Sequence, residues 1–269
     1  MKTFISLFAL FLSLTLTAQT NPATWYLNNT NGNGIQSPSN TASGIVSVAM
    51  GIGTTASGTH SSAMGRETTA SGIFSTAMGT GTTASGYGST AIGEGTTASD
   101  FNSLAVGRYN LLGSTVTISD TVFSTDNTAF VIGNGTYDFS TQQINRSDAL
   151  TVLFDGTTTI AGDLNINSDA RLKANIISLG STLSKLLQID GKSYTMKKDE
   201  SEKQKIGLLA QDIEKVFPEL VSESHGVKSV NYQGLVPILI NALKEQDEKM
   251  KSQQSQIDEL RALVQNLIN

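Results

Sequence analysis

The chain has 269 residues, 38% of them apolar and 6% aromatic, with a formal net charge of −5. It contains no cysteine, which excludes disulfide scaffolds, thiolate zinc sites and cysteine nucleophiles, and its two histidines, His60 and His225, argue against a histidine-built metal site or triad. Of the 18 Lys and Arg residues 14 lie in 168–269, so residues 19–167 carry a net −6, which argues against nucleic acid as a partner.

The first segment, 1–18, reads as a secretory signal: Met1-Lys2 gives a positive end, Phe4 to Leu16 is an apolar run, and Thr17-Ala18 ends it with small residues. A permanent span needs about 20 apolar residues, so cleavage after Ala18 and a secreted or cell-surface protein with no membrane span are expected. Residues 19–40 read as an N-terminal linker.

From residue 41 the chain repeats itself every 14 residues. Thr41-Ala42-Ser43-Gly44 returns as Thr55-Ala56-Ser57-Gly58, Thr69-Ala70-Ser71-Gly72, Thr83-Ala84-Ser85-Gly86 and Thr97-Ala98-Ser99-Asp100. A second fixed set, Ser47, Ala49 and Gly51, recurs with the same period, each alanine followed by a larger apolar residue: Met50, Met64, Met78, Ile92 and Val106. Alternation puts Ala49 on one face of a short strand and Val48 with Met50 on the other, glycines permit the turns, and helix is disfavoured by the absence of 3.6-residue periodicity. The pattern predicts a β-solenoid over 41–110. A coil of 14 residues encloses too few side chains to stand alone, and three chains side by side would bury the remaining apolar column.

These units resemble the head repeats of trimeric autotransporter adhesins of the YadA type. The resemblance implies a left-handed parallel β-roll, a homotrimer and a surface-display or binding role. Variable slots form two columns, Ile45, Thr59, Ile73, Tyr87, Phe101 and Val46, His60, Phe74, Gly88, Asn102. They are the candidate surface for a glycan or protein ligand of the head, with packing against a neighbouring chain as the competing reading. His60 shares its slot with Val46 and Phe74, which argues against a ligand role. Arg66 and Glu67 interrupt the threonine pairs and argue against ice binding.

Over 111–167 the period is lost, but strand-like runs at Thr115–Ile118, Ala129–Ile132, Ala149–Phe154 and Thr157–Ile166 predict a β-rich neck that caps the solenoid. At residue 168 the chain becomes charged and helical, through Ser168-Asp169-Ala170-Arg171-Leu172-Lys173. Taken alone, Ser-Asp before a helix is an ordinary N-cap. A serine becomes a nucleophile when a base takes its proton, and a lysine serves when burial or nearby positive charge favours its amine form. Arg171 would supply such charge or an oxyanion contact. On one α-helix, residues five apart lie about 140° apart, so a Ser168–Lys173 pair needs a bend or a neighbouring chain.

The region resembles the C-terminal intramolecular chaperone autoprocessing domain of phage endosialidases and tail fibres. The match runs through Asn175-Ile176, a helix with Leu179, Leu183, Leu186 and Leu187, then Tyr194, Gly207-Leu208-Leu209-Ala210-Gln211-Asp212, Val216-x-Pro218-Glu219, Val230-x-Tyr232-x-x-Leu235 and Ala242-Leu243-Lys244-Glu245. Ala174 and Met196 depart from the family's usual Glu and Trp. The resemblance implies Ser168 as nucleophile, Lys173 as general base and Asn167–Ser168 as the scissile bond. The activity that the resemblance implies is a single-turnover self-cleaving serine peptidase, for which no cofactor, metal or external substrate is expected.

From Val236 onward Leu243, Met250, Ile257 and Val264 fall seven apart, with Leu239, Leu260 and Leu267 at complementary positions and Gln246 and Gln253 between. This predicts a coiled-coil seam over 236–269. The Ile/Val and Leu placement leans toward two strands and the glutamines toward three; a helix packing within one chain is the competing reading. The fold class is therefore mainly β with an α-helical C-terminus: β-roll head, β neck, chaperone domain over 168–235 and coiled coil. The functional expectation is a fibre or adhesin-like protein that trimerises and cuts itself, the alternative being a non-cleaving surface protein with a permanent C-terminal trimer clamp.

Overall fold

The computed structural model describes residues 26–28 (backbone only), 34–112, 122–197 and 202–268. The signal reading over 1–18 and the strand expected at Thr115–Ile118 lie outside them. Two compact units divide the chain, residues 1–165 and 166–269.

The first unit is the expected solenoid. Strands Val48–Ile52, Ser62–Arg66, Thr76–Thr80, Thr90–Glu94 and Leu104–Arg108 stack in parallel, and each residue pairs with the one a full repeat away: Ala49 with Ala63, Ala63 with Ala77, Ala77 with Ala91, Ala91 with Ala105. The short strands Thr41–Ala42, Thr55–Ala56, Thr69–Ala70, Thr83–Ala84 and Thr97–Ala98 form a second parallel sheet. Both alanine columns face inward and are fully buried or nearly so. Between them run buried columns of Ser61, Ser75, Ser89 and Thr68, Thr82, Thr96. Small side chains are obligatory in so thin a ribbon, and the Met50, Met64, Met78, Ile92 and Val106 column lies outside it, half-buried to exposed.

The residues read as linker carry strands Tyr26–Asn28 and Gly34–Gln36, and the second pairs in parallel with Val48–Ile52. The sheet therefore begins before the first full repeat. Asn40 stands one repeat before Thr54, and its Oδ1 accepts from the Thr54 backbone N–H and from Thr54 Oγ1, both at 2.8 Å.

At the other end the sheet is continued by Thr128–Asn134, parallel to Leu104–Arg108, and closed by the antiparallel strands Asp148–Leu153 and Thr158–Ile160. Two departures from the repeat explain the stop. A Cβ on Gly72 would lie 2.1 Å from the Gly86 carbonyl oxygen, and Gly44, Gly58 and Gly86 are equally crowded by the next coil. Asp100 occupies this slot only in the last coil, and its Oδ2 accepts the Thr128 N–H at 2.8 Å. Asn110 stands one repeat after Thr96; its Oδ1 accepts from Thr97 N–H at 2.8 Å and its Nδ2 donates to the Thr97 carbonyl at 2.9 Å. An amide side chain thus replaces the missing next strand, as buried backbone groups require partners. Arg146 Nη1 donates to the carbonyls of Gly95 and Asn110, both at 3.0 Å.

Among its described residues the second unit has three α-helices, α1 (Leu183–Leu186), α2 (Ala210–Val216) and α3 (Leu235–Ile268), with hairpins Lys192–Tyr194/Lys205–Gly207 and Val221–Ser224/Val227–Val230. Ile213, Phe217, Leu220, Leu235 and Ile238 form its core, with Leu186, Ile189, Leu208, Val216, Val221 and Val230 packed around them. The helix expected to span Leu179 to Leu187 is confined to α1. Its start is fixed by side chains of α3: Thr182 and Leu183 donate their N–H groups to Glu245, and Thr182 Oγ1 donates to the Ile238 carbonyl at 2.8 Å. The first turns of α3 face inward through Leu235, Ile238 and Ala242, whereas Val236, Leu239, Leu243, Met250, Ile257, Leu260, Val264 and Leu267 are exposed. Among the described residues, no helix is long and apolar enough to cross a membrane.

Candidate functional site

Every residue from Asp155 to Ser181 is exposed, and the junction hexapeptide lies in this stretch. Its local shape follows from one acidic side chain. Asp169 is extended (φ −63°, ψ 132°), and its Oδ1 accepts the Arg171 N–H at 2.8 Å, opening a 3-10 turn over Ala170–Leu172. The turn ends at once, because Lys173 is extended again (φ −118°, ψ 146°) while its N–H donates to the Ala170 carbonyl. The chain therefore reverses within one turn rather than running on as an α-helix. Lys173 Nζ comes to 2.7 Å from Ser168 Oγ. Of the two routes expected, a bend or a neighbouring chain, the structure has a bend within a single chain.

A nucleophile and a base must lie within hydrogen-bond reach of each other, and Ser168 and Lys173 do. Arg171 has a different place from that expected. Its Nε lies 3.1 and 3.0 Å from the two carboxylate oxygens of Asp169, and its Nη2 donates to Oδ2 at 2.6 Å. The Arg171 side chain, followed by its backbone N–H, holds the Asp169 carboxyl below its ordinary range, and Asp169 in turn raises the guanidinium. The positive charge of Arg171 is thus paired at close range. Asn167, on the other side of the bond, is exposed and lies outside regular secondary structure.

The two variable columns of the solenoid meet along one corner. His60 stacks on Phe74 (centroids 5.0 Å apart, planes 12° apart), Phe74 meets Tyr87 edge-on at 5.5 Å, and Tyr87 stacks on Phe101 (5.0 Å, 4°). Phe123 and Phe154, which the repeat did not reveal, continue the ladder into the closing segment at 6.3 and 5.1 Å. Val46, His60, Phe74 and Asn102 reach this corner with φ between 55° and 59°, a left-handed conformation unusual for branched and aromatic residues. Each ring of the ladder packs on its neighbour, face-on in two pairs and edge-on in three, so the ladder is first a packing feature.

Comparison with known proteins bears on both units. Residues 168–222 match the family model of the chaperone of endosialidase. The match begins at Ser168 itself. Residues 42–110 match the YadA head domain repeat in overlapping segments, 42–68, 56–82, 70–93 and 84–110. The head-repeat and chaperone segments thus occur in the order read from the sequence. Among curated proteins, the chain is 30% identical over 115 residues to the long tail fiber protein Gp37 of Salmonella phage S16, covering 39% of this chain and 15% of that protein. It is also 30% identical over 100 residues to the long tail fiber protein Gp37 of Escherichia phage AR1, covering 34% of this chain and 9% of that protein. The chain therefore spans only a small part of these relatives' length.

Proposed function

We propose that this is an extracellular or surface-exposed fibre or adhesin-like protein whose C-terminal unit assembles three chains and then cuts itself off at Asn167–Ser168. The observation that carries the reading is the 2.7 Å approach of Lys173 Nζ to Ser168 Oγ at the first residue of the endosialidase-chaperone match. The long tail fiber relatives and the head repeats support the fibre role. The exposed seam of α3 and the half-buried to exposed Met50 to Val106 column support assembly, since apolar columns of this length call for a partner.

In the cleavage step, Lys173 in its amine form takes the Ser168 hydroxyl proton as Oγ attacks the carbonyl carbon of Asn167. The C–N bond of the tetrahedral intermediate breaks, the proton passes from Lys173 to the departing nitrogen, and that nitrogen becomes the free α-amine of Ser168. An ester then joins Asn167 to Ser168 Oγ. Water hydrolyses it, leaving the Asn167 carboxylate and restoring the hydroxyl. Burial favours an amine over an ammonium, and Leu164, Ile166, Leu172, Ile176 and Ile177, which flank the bond in sequence, are exposed. Their coverage by neighbouring chains would remove water from the pair, so assembly acts as the trigger.

Denaturing electrophoresis with intact mass tests the cleavage: the reading requires a 102-residue fragment, 168–269, absent in Ser168→Ala. A wild-type chain that trimerises and stays whole would support the permanent-clamp alternative instead.

A further inference from the structure

The geometry points to Asp169 as the positioning residue of the Ser168–Lys173 pair, acting through its cap on the Arg171 N–H. We infer further that Arg171 is held away from the scissile carbonyl. The inference rests on the autocleavage reading for its chemistry, but the contact it explains is structural.

Five residues separate Ser168 from Lys173, and a continuing α-helix would turn them about 140° apart. What brings them to 2.7 Å is a three-residue turn bounded by two extended residues, Asp169 before it and Lys173 after it. The Asp169 carboxylate fixes the first boundary: Oδ1 accepts the Arg171 N–H at 2.8 Å, while the Leu172 N–H reaches the Asp169 carbonyl at 3.1 Å. No other side chain is hydrogen-bonded to the backbone of this turn among the described residues. Ser168, at the expected capping position, has its hydroxyl in contact with Lys173 instead. One residue therefore caps and the preceding one is left free to react. The guanidinium of Arg171 is engaged through Nε and Nη2 by the same carboxylate, the arrangement expected of a bidentate pair. Its measured role should then be small, whereas loss of a true oxyanion donor costs about 10²–10³-fold.

The full chain is suited to the test because it has no cysteine of its own. In Ser168→Cys the pH dependence of alkylation by iodoacetamide reports proximity to Lys173 Nζ, whose N–H contact favours the thiolate and lowers a thiol from about 8.5. We expect a midpoint about one pH unit below that value. Adding Asp169→Ala returns it to the ordinary thiol range, and adding Asp169→Asn, which keeps an acceptor for the Arg171 N–H, leaves it low. In parallel, release of the 168–269 fragment slows by about 100-fold in Asp169→Ala, the cost of a misplacement near 1 Å. It stays within a few-fold of wild type in Asp169→Asn and Arg171→Ala. An unchanged midpoint and rate in Asp169→Ala overturn the inference, and so does near-complete loss of release in Arg171→Ala with a faster Asp169→Ala. If the wild-type chain yields no fragment while the thiol midpoints move as stated, autocleavage is refuted and the positioning role of Asp169 stands.

Discussion

Glu245, on the long helix α3, accepts the backbone N–H of Thr182 some sixty residues earlier in the chain, together with the Leu183 N–H at 3.1 Å and the Ser181 hydroxyl at 2.6 Å. The carboxylate thus caps α1 from another element and ties the segment following the candidate cleavage site to α3. Its donors, the Ser181 hydroxyl first and the Thr182 N–H next, hold the Glu245 carboxyl below its ordinary range.

A pH dependence follows with a defined sign. A carboxyl depressed in the folded state contributes stability that is fully present above its unfolded value and is lost as pH falls through the folded one. The C-terminal unit is therefore expected to loosen on acidification below the usual glutamate range, about 4.3. Glu245→Gln should lower its melting temperature at neutral pH and flatten the acid limb. Helical ellipticity followed against pH and temperature checks both; an acid limb unchanged in Glu245→Gln would assign the effect elsewhere.

The solenoid should show an asymmetry between its inner coils and its last one. Gly72→Ala places a methyl group 2.1 Å from the Gly86 carbonyl oxygen, and overpacking of this kind costs about 1–3 kcal/mol. Asp100→Gly at the equivalent slot meets no such clash but strips the half-buried Thr128 N–H of its carboxylate acceptor, worth about 1 kcal/mol or somewhat more. Thermal melts of the strand signal should fall in both. Limited proteolysis should then open Gly72→Ala within the repeats and Asp100→Gly at the closing strands.

Ile213 is fully buried at the centre of the C-terminal core, against Phe217, Leu220, Leu235 and Ile238. Ile213→Ala should cost about 2–5 kcal/mol and, with it, the platform that orients α3. Chemical denaturation of the chain checks the value. A loss below about 1 kcal/mol would mean that the core collapses around the missing side chain.

Much of this architecture is legible in the sequence, and the parts that are not share a physical cause. The 14-residue period fixes the register of both sheets, and alternation places Ala49 inward and Met50 outward. The junction at Ser168 is visible as a change in charge. Less visible are features made by single polar contacts, which have no period. The Asp169 carboxylate bends the chain, and the pairing of Arg171 with it removes the free charge that the sequence suggested. α1 is shorter than its leucine spacing implies because Glu245 fixes its start. The heptad seam of α3 is plain in the sequence, whereas the inward face of Leu235, Ile238 and Ala242 depends on elements folded from elsewhere. Phe123 and Phe154 join the aromatic ladder only through the closing strands.

Disruption of the α3 seam separates assembly from folding. Ile257→Asp with Leu260→Asp alters two exposed apolar positions and leaves the Ile213 core intact. The doubly substituted chain should keep its C-terminal core, fail to associate, and release no 168–269 fragment. Fragment release from a non-associating variant would detach cleavage from assembly.

Sedimentation equilibrium of the Ser168→Ala chain at micromolar concentration tests the central claim most directly. The account predicts a single species at three times the mass of one chain, with no folded single chain in exchange with it. A well-ordered species at the mass of one chain would contradict it.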